Sequence, residues 1–241
     1  MSQFRFFLLD ADNTIFDFDA AEKRAWFTAM SSCGIRADDE MFAYYHVINA
    51  GLWKDMEKGL ISKEALVVER YRRTLEKYGI EADASKINAL YLPLLAECAA
   101  LLPGADKFLR DLRAAADMSK SEYGSGGIYL ITNGVEKTQK KRFEDSGIKS
   151  YIDDMFISET MGFPKPDIRY FESVFASIPG FERSAAVVVG DSLSSDIKGG
   201  NDAGLSTVWF DLYRTGLPDD APARPTYTAV TFDEIFKTIT A

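Results

Sequence analysis

The sequence predicts an α/β protein with a doubly wound parallel sheet and a second, smaller all-helical domain inserted after the first strand. Two observations lead to this fold class. Beyond residue 103, short apolar runs alternate with helix-length amphipathic segments, a pattern typical of a parallel sheet covered on both faces. Between the first apolar run and residue 100, the apolar residues recur only at helical spacing, with no convincing strand.

The first element is a short buried strand over residues 4–9, Phe-Arg-Phe-Phe-Leu-Leu. Helical spacing then follows in four segments separated by glycine-containing turns: 20–32, 38–57, 62–78 and 84–100. We therefore predict a helical domain over 17–102, inserted into a catalytic core made of 1–16 and 103–241.

The remaining elements alternate between helix and strand. A helix is predicted over 105–116, and the polar, glycine-rich segment 117–127 is predicted to be a flexible connection. The predicted strands are 128–131, 155–158, 185–189 and 206–210, and the predicted helices are 135–146, 168–177 and 194–203.

Composition narrows the classes of function. The chain has 241 residues, of which 46% are hydrophobic and 27% charged, as in ordinary globular proteins. A formal net charge of −9 argues against a nucleic-acid polymer as partner, because binding a phosphate backbone needs a basic face. It does not argue against a small phosphorylated substrate.

Other features of the sequence set expectations about location and chemistry. The single histidine, His46, makes histidine-based catalysis and histidine metal sites unexpected. Cys33 and Cys98 form no metal-ligand pattern, no apolar run reaches eighteen residues, and the first residues lack the pattern of a secretory signal. We expect a cytoplasmic protein with no membrane partner, and a monomer by default.

Polar residues collect after the predicted strands, where open α/β sheets bind ligands. They are Asp10, Asp12, Thr132, Asn133, Lys165, Asp191 and Asp196. Taken singly, each has an ordinary explanation, since aspartate and threonine cap helices and a lysine is usually solvated. Taken together, carboxylates, hydroxyls, an amide and a lysine at four strand ends suit a hard divalent cation plus a phosphate.

These four segments resemble, in order, the motifs of the haloacid dehalogenase-like (HAD) superfamily of phosphatases. The segments are Asp10-Ala-Asp-Asn-Thr14, Ile131-Thr-Asn-Gly134, Lys165-Pro-Asp167 and Gly190-Asp-Ser-Leu-Ser-Ser-Asp196. The helical insert stands where that family carries its type-1 cap. The first and last motifs, with their flanking residues, are similar to the branch that contains bacterial pyrimidine 5′-nucleotidases.

The resemblance implies a mechanism for phosphate monoester hydrolysis. Asp10 would attack phosphorus to give an aspartyl-phosphate, and Asp12 would act as general acid and base. Thr132 and the Asn133 backbone N–H would bind phosphoryl oxygens, while Lys165 would neutralise charge. The prolines on both sides of Lys165 restrict its backbone.

The resemblance also implies a cofactor and a role for the insert. Mg²⁺, with Mn²⁺ as a substitute, would be held by Asp10, the Asp12 backbone carbonyl and Asp191, with Asp196 nearby. The cap would select the leaving group. Phe16 is a candidate contact for that leaving group, and packing in the core explains it equally well.

Several alternatives stay open. The substrate could be another small metabolite, such as a sugar phosphate or phosphoglycolate, and a phosphomutase uses the same core. A dehalogenase fits less well, because halide displacement needs neither Asp12 nor a metal. A phospho-acceptor signalling module combines similar residues, but Asp-x-Asp at the first strand and the large insert argue against it.

Overall fold

A computed structural model describes residues 4–241, and it divides the chain into two compact units. One unit contains the chain up to Asp17 together with Ala99–Ala241, and the other is Phe18–Cys98. The sequence predicted the division at 17 and 102.

The first unit is built on a six-stranded sheet of order β3-β2-β1-β4-β5-β6, in which every neighbouring pair is parallel. The strands are β1 Phe6–Asp10, β2 Gly127–Thr132, β3 Asp154–Ile157, β4 Ala186–Gly190, β5 Ser206–Phe210 and β6 Tyr227–Ala229. All residues of β1, β2 and β4 are buried. The predicted doubly wound parallel fold is confirmed.

Helices cover both faces of this sheet, which explains why its central strands are apolar throughout. The helices of this unit are α5 Ala105–Tyr123, α6 Glu136–Asp145, α7 Ser158–Met161, α8 Ile168–Ser177, α9 Lys198–Asp202 and α10 Phe232–Thr240. Leu9 and Val189 belong to the core on one face, and Leu8 and Val188 belong to the core on the other. The alternation along each strand therefore divides the apolar residues between two layers.

The register brings three strand ends together. β1 lies between β2 and β4, with Asp10 opposite Ile131 and Leu9 opposite Val189. The chain leaves β1 in the middle of the sheet, so the loops after β1, β2 and β4 start side by side. Such a position is where doubly wound sheets bind ligands.

The second unit consists of four helices: α1 Phe18–Ser32, α2 Asp39–Glu57, α3 Lys63–Lys77 and α4 Ala84–Ala96. Side chains of Asp38, Ser62 and Asp83 accept hydrogen bonds from backbone N–H groups in the first turns of α2, α3 and α4. The unit has an aromatic-rich core of its own. The predicted helical insert contains no strand among these residues.

The prediction of a flexible connection over 117–127 was wrong. α5 continues to Tyr123 and ends at Gly124, whose φ of 74° is left-handed. The extension is polar and exposed, so it lacks the apolar periodicity on which the prediction depended. Arg113 pairs with Asp117 one turn later, and the Arg5 guanidinium lies 5.1 Å from the centre of the Tyr123 ring.

Other boundaries also differ from the prediction. α4 ends at Ala96, four residues before its predicted end. The predicted helix over 194–203 begins with a π-helical turn, Leu193–Ile197, which runs into α9. No element was predicted for α7, β6 or α10. Among the helices of residues 4–241, none has the length and apolar character needed to cross a membrane.

Candidate active site

The first strand ends in a tight turn that carries two aspartates. Asp10 is the last residue of β1 and is almost fully buried. The Ala11 carbonyl accepts hydrogen bonds from the N–H groups of Ile15 and Phe16, at 3.0 and 2.8 Å. The chain therefore turns back directly after β1. This turn holds both aspartates at the carboxyl end of the strand.

Lys165 reaches this strand end from the loop before α8. Its Nζ donates to Asp10 Oδ1 at 2.6 Å, to Asp196 Oδ1 at 2.7 Å and to the Ile131 carbonyl at 3.0 Å. Only 1% of the residue is exposed, so it is not a solvated surface lysine. Burial disfavours the charged ammonium, but the carboxylates of Asp10 and Asp196 outweigh this effect and raise the Lys165 pKa above its ordinary value.

Asn133 orients Lys165 through the lysine backbone. The Asn133 Nδ2 donates to the Lys165 carbonyl, and the Asn133 Oδ1 accepts from the Lys165 N–H, both at 2.8 Å. The neighbouring Thr132 hydroxyl accepts a hydrogen bond from the Gly134 N–H at 3.0 Å. The sequence does not reveal the link from Asn133 to Lys165, because this link joins loops more than thirty positions apart.

Three carboxylates gather beside the lysine. Oxygen atoms of Asp10, Asp191 and Asp196 all lie within 4.8 Å of one another. Burial, only partly opposed by Lys165, raises the pKa of Asp10 to about 7. Burial and the charges of Asp10 and Asp196 raise the pKa of Asp191 well above its ordinary value.

This donor set fits a hard divalent cation. Mg²⁺ prefers oxygen ligands, especially carboxylates. Three carboxylates meet here beside a single ammonium, that of Lys165. A bound cation would supply the missing positive charge.

Two backbone contacts hold the last two aspartates in place. The Trp209 Nε1 donates to the Asp191 carbonyl at 2.8 Å, and the Ser192 N–H donates to Asp196 Oδ2 at 3.1 Å. Asp196 also lies directly against Gly190, since a Cβ built on that glycine would be 2.6 Å from the Asp196 Cβ. A larger residue at 190 would therefore displace Asp196.

The Asp12 carboxylate is not part of the cluster formed by Asp10, Asp191 and Asp196. It accepts from Gln139 Nε2 at 2.5 Å and forms an ion pair with Arg142, both on α6. Sequence reasoning missed these two residues. Gln139 and Arg142 are polar residues three positions apart on a helix that is mostly charged. Nothing in such a pattern shows that they are buried or that they bind Asp12.

Phe16 lies in the hydrophobic core with none of its surface exposed. The Arg142 guanidinium lies over its ring, 4.5 Å from the centre. We therefore favour packing, the alternative that the sequence left open for this residue.

Comparison with known proteins places the chain in a family. The haloacid dehalogenase-like hydrolase family matches residues 4–204 of the chain. The chain belongs to the haloacid dehalogenase-like hydrolases. The resemblance seen in the four motifs is thereby confirmed.

Three known bacterial proteins are similar to the chain over nearly its whole length. It is 37% identical to the HAD-hydrolase YfnB of Bacillus subtilis, covering 98% of this chain and 95% of the relative. It is 35% identical to the pyrimidine 5′-nucleotidase PynA of Streptococcus pneumoniae, covering 96% and 93% of the two chains. The pyrimidine 5′-nucleotidase YjjG of Escherichia coli is 31% identical, with coverage of 94% and 93%.

A solved structure shows the same fold. The crystal structure of Bacillus subtilis YfnB bound to magnesium matches with a TM-score of 0.88 and 35% identity, covering 99% of this chain and all of that one.

Proposed function

We propose that the protein is a Mg²⁺-dependent phosphate monoester hydrolase that acts on pyrimidine nucleoside 5′-monophosphates. The observation that carries the proposal is the Asp10 carboxylate, held by Lys165 at the end of β1 within a cluster of three aspartates. The similarity to PynA and YjjG, both named pyrimidine 5′-nucleotidases, supports the substrate class.

In the proposed first step, an Asp10 oxygen attacks phosphorus and the bond from phosphorus to the leaving oxygen breaks. Asp12 donates a proton to that oxygen, which leaves as the nucleoside 5′-hydroxyl. In the second step, Asp12 takes a proton from a water molecule, whose oxygen attacks the phosphorus of the aspartyl-phosphate. Inorganic phosphate leaves and Asp10 is restored.

The remaining residues of the site offset or bind the negative charge of the phosphate. Lys165 lies against Asp10 and reduces the repulsion between the carboxylate and an approaching phosphate dianion. We propose that the Thr132 hydroxyl and the Asn133 backbone N–H bind phosphoryl oxygens. Their loop adjoins Lys165 through the side-chain bonds of Asn133.

The proposed metal ligands are the carboxylates of Asp10 and Asp191 and the backbone carbonyl of Asp12, with Asp196 beside them. Mg²⁺, when bound, supplies positive charge that offsets the negative charge of the phosphoryl group and of the carboxylates. Mn²⁺ offers the same charge and oxygen preference, so we expect it to substitute.

Three expectations remain predictions. They are that the helical unit acts as a cap that selects the leaving group, that the protein is cytoplasmic and that it is a monomer. We expect substitutions in the helical unit to change the order of preferred substrates more than the chemical step.

The first experiment measures phosphate release, with Mg²⁺, from nucleoside monophosphates, sugar phosphates and phosphoglycolate. Asp10→Asn is measured in parallel, and Asp220→Asn, at an exposed position, serves as the matched control. Selective release from pyrimidine monophosphates that only Asp10→Asn abolishes would support the proposal. Preference for another phosphate would overturn the substrate class and keep the mechanism.

Two other results would contradict the hydrolase mechanism. A sugar phosphate that is isomerised with its phosphate retained would indicate a phosphomutase. A long-lived phosphoprotein with negligible turnover would indicate a phospho-acceptor module.

A further inference from the structure

The side chain of Asp12 is fixed by two residues that no catalytic motif contains. Its Oδ2 accepts from Gln139 Nε2 at 2.5 Å, and its Oδ1 accepts from Arg142 Nη1. Gln139 and Arg142 are buried on α6, while about a quarter of the Asp12 side chain, 27%, remains exposed. Each carboxylate oxygen therefore has a protein donor on one side, and the carboxylate still reaches solvent.

The route of Gln139 to Asp12 depends on a glycine in the proposed phosphate-binding loop. A Cβ at Gly134 would overlap the Gln139 Nε2 and would lie 2.8 Å from its Cδ. The Gly134 N–H also donates to the Thr132 hydroxyl at 3.0 Å. Gly134 therefore has two effects. Its N–H orients the Thr132 hydroxyl, and its missing side chain leaves room for the Gln139 side chain to reach Asp12.

Arg142 is fixed from its other side by the turn that carries Asp12. Its guanidinium lies over the Phe16 ring, 4.5 Å from the centre. The Asn13 N–H donates to the Phe16 carbonyl at 2.9 Å, so the ring is tied to the residue after Asp12. Arg142 thus connects α6 to the turn after β1, since it contacts both Asp12 and Phe16 of that turn.

We propose that Gln139 and Arg142 are positioning residues that set the rotation of the Asp12 carboxylate for proton transfer to and from the reacting oxygens. The inference rests on the proposed function, in which Asp12 is the general acid and base. Two donors, one on each oxygen, fix the plane of the carboxylate and leave its other lone pairs free. Because proton transfer needs hydrogen-bond geometry, a displaced carboxylate would slow the chemistry without weakening substrate binding.

A double-mutant cycle tests the proposal. Gln139→Leu and Arg142→Lys are measured alone and combined with Asp12→Asn, with Lys140→Ala on the exposed face of α6 as the control. We expect each single variant to lower kcat for the preferred nucleotide roughly ten- to a hundredfold, with KM changed less than about threefold. In the Asp12→Asn background, the same substitutions should cause no further loss.

A second readout uses a leaving group that needs no proton. The pre-steady-state burst of p-nitrophenolate from p-nitrophenyl phosphate should persist in Gln139→Leu, while steady turnover falls, because only the second step then needs Asp12. Added guanidinium should restore part of the activity of Arg142→Ala. A merely structural role for Arg142 would give no such rescue.

The results that overturn the proposal are distinct from failure of the proposed function. Equal losses in the wild-type and Asp12→Asn backgrounds, or a rise in KM with kcat unchanged, would show that Gln139 and Arg142 do not act through Asp12. Absence of phosphatase activity in the wild type would instead overturn the proposed function. If Arg142 variants fail to fold, Gln139→Leu, measured alone and combined with Asp12→Asn, decides the question.

Discussion

Lys165 Nζ lies 2.6 Å from Asp10 Oδ1, although 155 positions separate the two residues in the chain. The same ammonium also binds Asp196 at 2.7 Å, so one buried cation serves two buried carboxylates. The pair joins the end of β1 to the loop before α8. It therefore couples the proposed nucleophile to the stability of the sheet unit.

We expect Lys165→Met to impair both stability and catalysis. Removing one member of a buried ion pair leaves an uncompensated charge, which costs about 3–5 kcal/mol of unfolding free energy. The loss of charge compensation should also lower kcat by at least about a hundredfold. Urea unfolding and phosphate release measure the two effects, with the exposed Lys237→Met as control. Full activity in Lys165→Met would refute the role of this lysine.

Asp191→Asn should stabilise the metal-free protein while removing activity. The raised pKa of Asp191 means that its ionised form is disfavoured in the folded state. The resulting destabilisation is absent below the ordinary pKa and develops as pH rises toward the folded value. An amide avoids this cost, so without metal Asp191→Asn should unfold at a higher temperature than the wild type, and this gain should grow as pH rises.

The same variant tests the metal site. Mg²⁺ should raise the melting temperature of the wild type and of Asp220→Asn, and this rise should be much smaller in Asp191→Asn. An identical Mg²⁺ response in all three proteins would exclude Asp191 as a ligand.

Gly190→Ala should damage the site through Asp196. The new methyl group would lie 2.6 Å from the Asp196 Cβ, so the aspartate or the strand end must move. We expect a loss of about 1–3 kcal/mol in stability and a clear fall in kcat. Gly51→Ala is the matched control, because nothing lies within 4 Å of a Cβ there and α2 should gain up to about 1 kcal/mol. Normal activity in Gly190→Ala would disprove the steric argument.

His46 should give the helical unit a pH-dependent contribution to stability. A hydrogen bond from the His46 Nδ1 to the Glu22 carboxylate, 2.7 Å away, raises the pKa of His46 above its ordinary value despite partial burial. The contribution is therefore complete below the unfolded pKa and is lost as pH rises through the folded pKa. Because the ring is 44% exposed, we expect about 0.5 kcal/mol or less.

The measurement compares urea unfolding of the wild type and His46→Gln at several pH values. His46 is the only histidine in the chain, so the difference between the two curves isolates its titration. The wild type should lose its advantage between mildly acidic and mildly alkaline pH. A constant difference across that range would contradict the prediction.

Arg70 should be far more important to the helical unit than Arg72, two positions later on α3. Buried Arg70 donates to Asn49 Oδ1 and Asn88 Oδ1, both at 3.0 Å. Arg70→Met leaves the buried Glu22, which Asn49 links to this network, without the nearby guanidinium. We expect a loss of about 3–5 kcal/mol.

The matched substitution Arg72→Met should have a much smaller effect on unfolding. Arg72 and its partner Glu76 are exposed, and its other partner, Glu69, keeps the ion pair with Arg73 when Arg72 is removed. Chemical denaturation of both variants gives the comparison. Similar losses for the two arginines would show that the buried network contributes little.

The sequence alone determined the fold class, because hydrophobic periodicity is a local property and each strand and helix carries its own pattern. The sequence also indicated the four loops of the site, because each loop follows its strand closely in the sequence. A predicted strand therefore also gives the position of its loop. It failed over 117–123, where an exposed polar helix carries no apolar stripe, and it predicted nothing beyond Phe210, where β6 and α10 complete the sheet unit.

Only the tertiary structure decided how the polar residues are paired. The bonds from Gln139 and Arg142 to Asp12 span 127 and 130 positions, and those from Asn133 to Lys165 span 32. Glutamine, arginine and asparagine are compatible with many exposed or buried positions, so their types do not reveal their partners. The partners follow from the order of the strands and the rotation of α6 against the sheet, and these depend on packing across the whole unit.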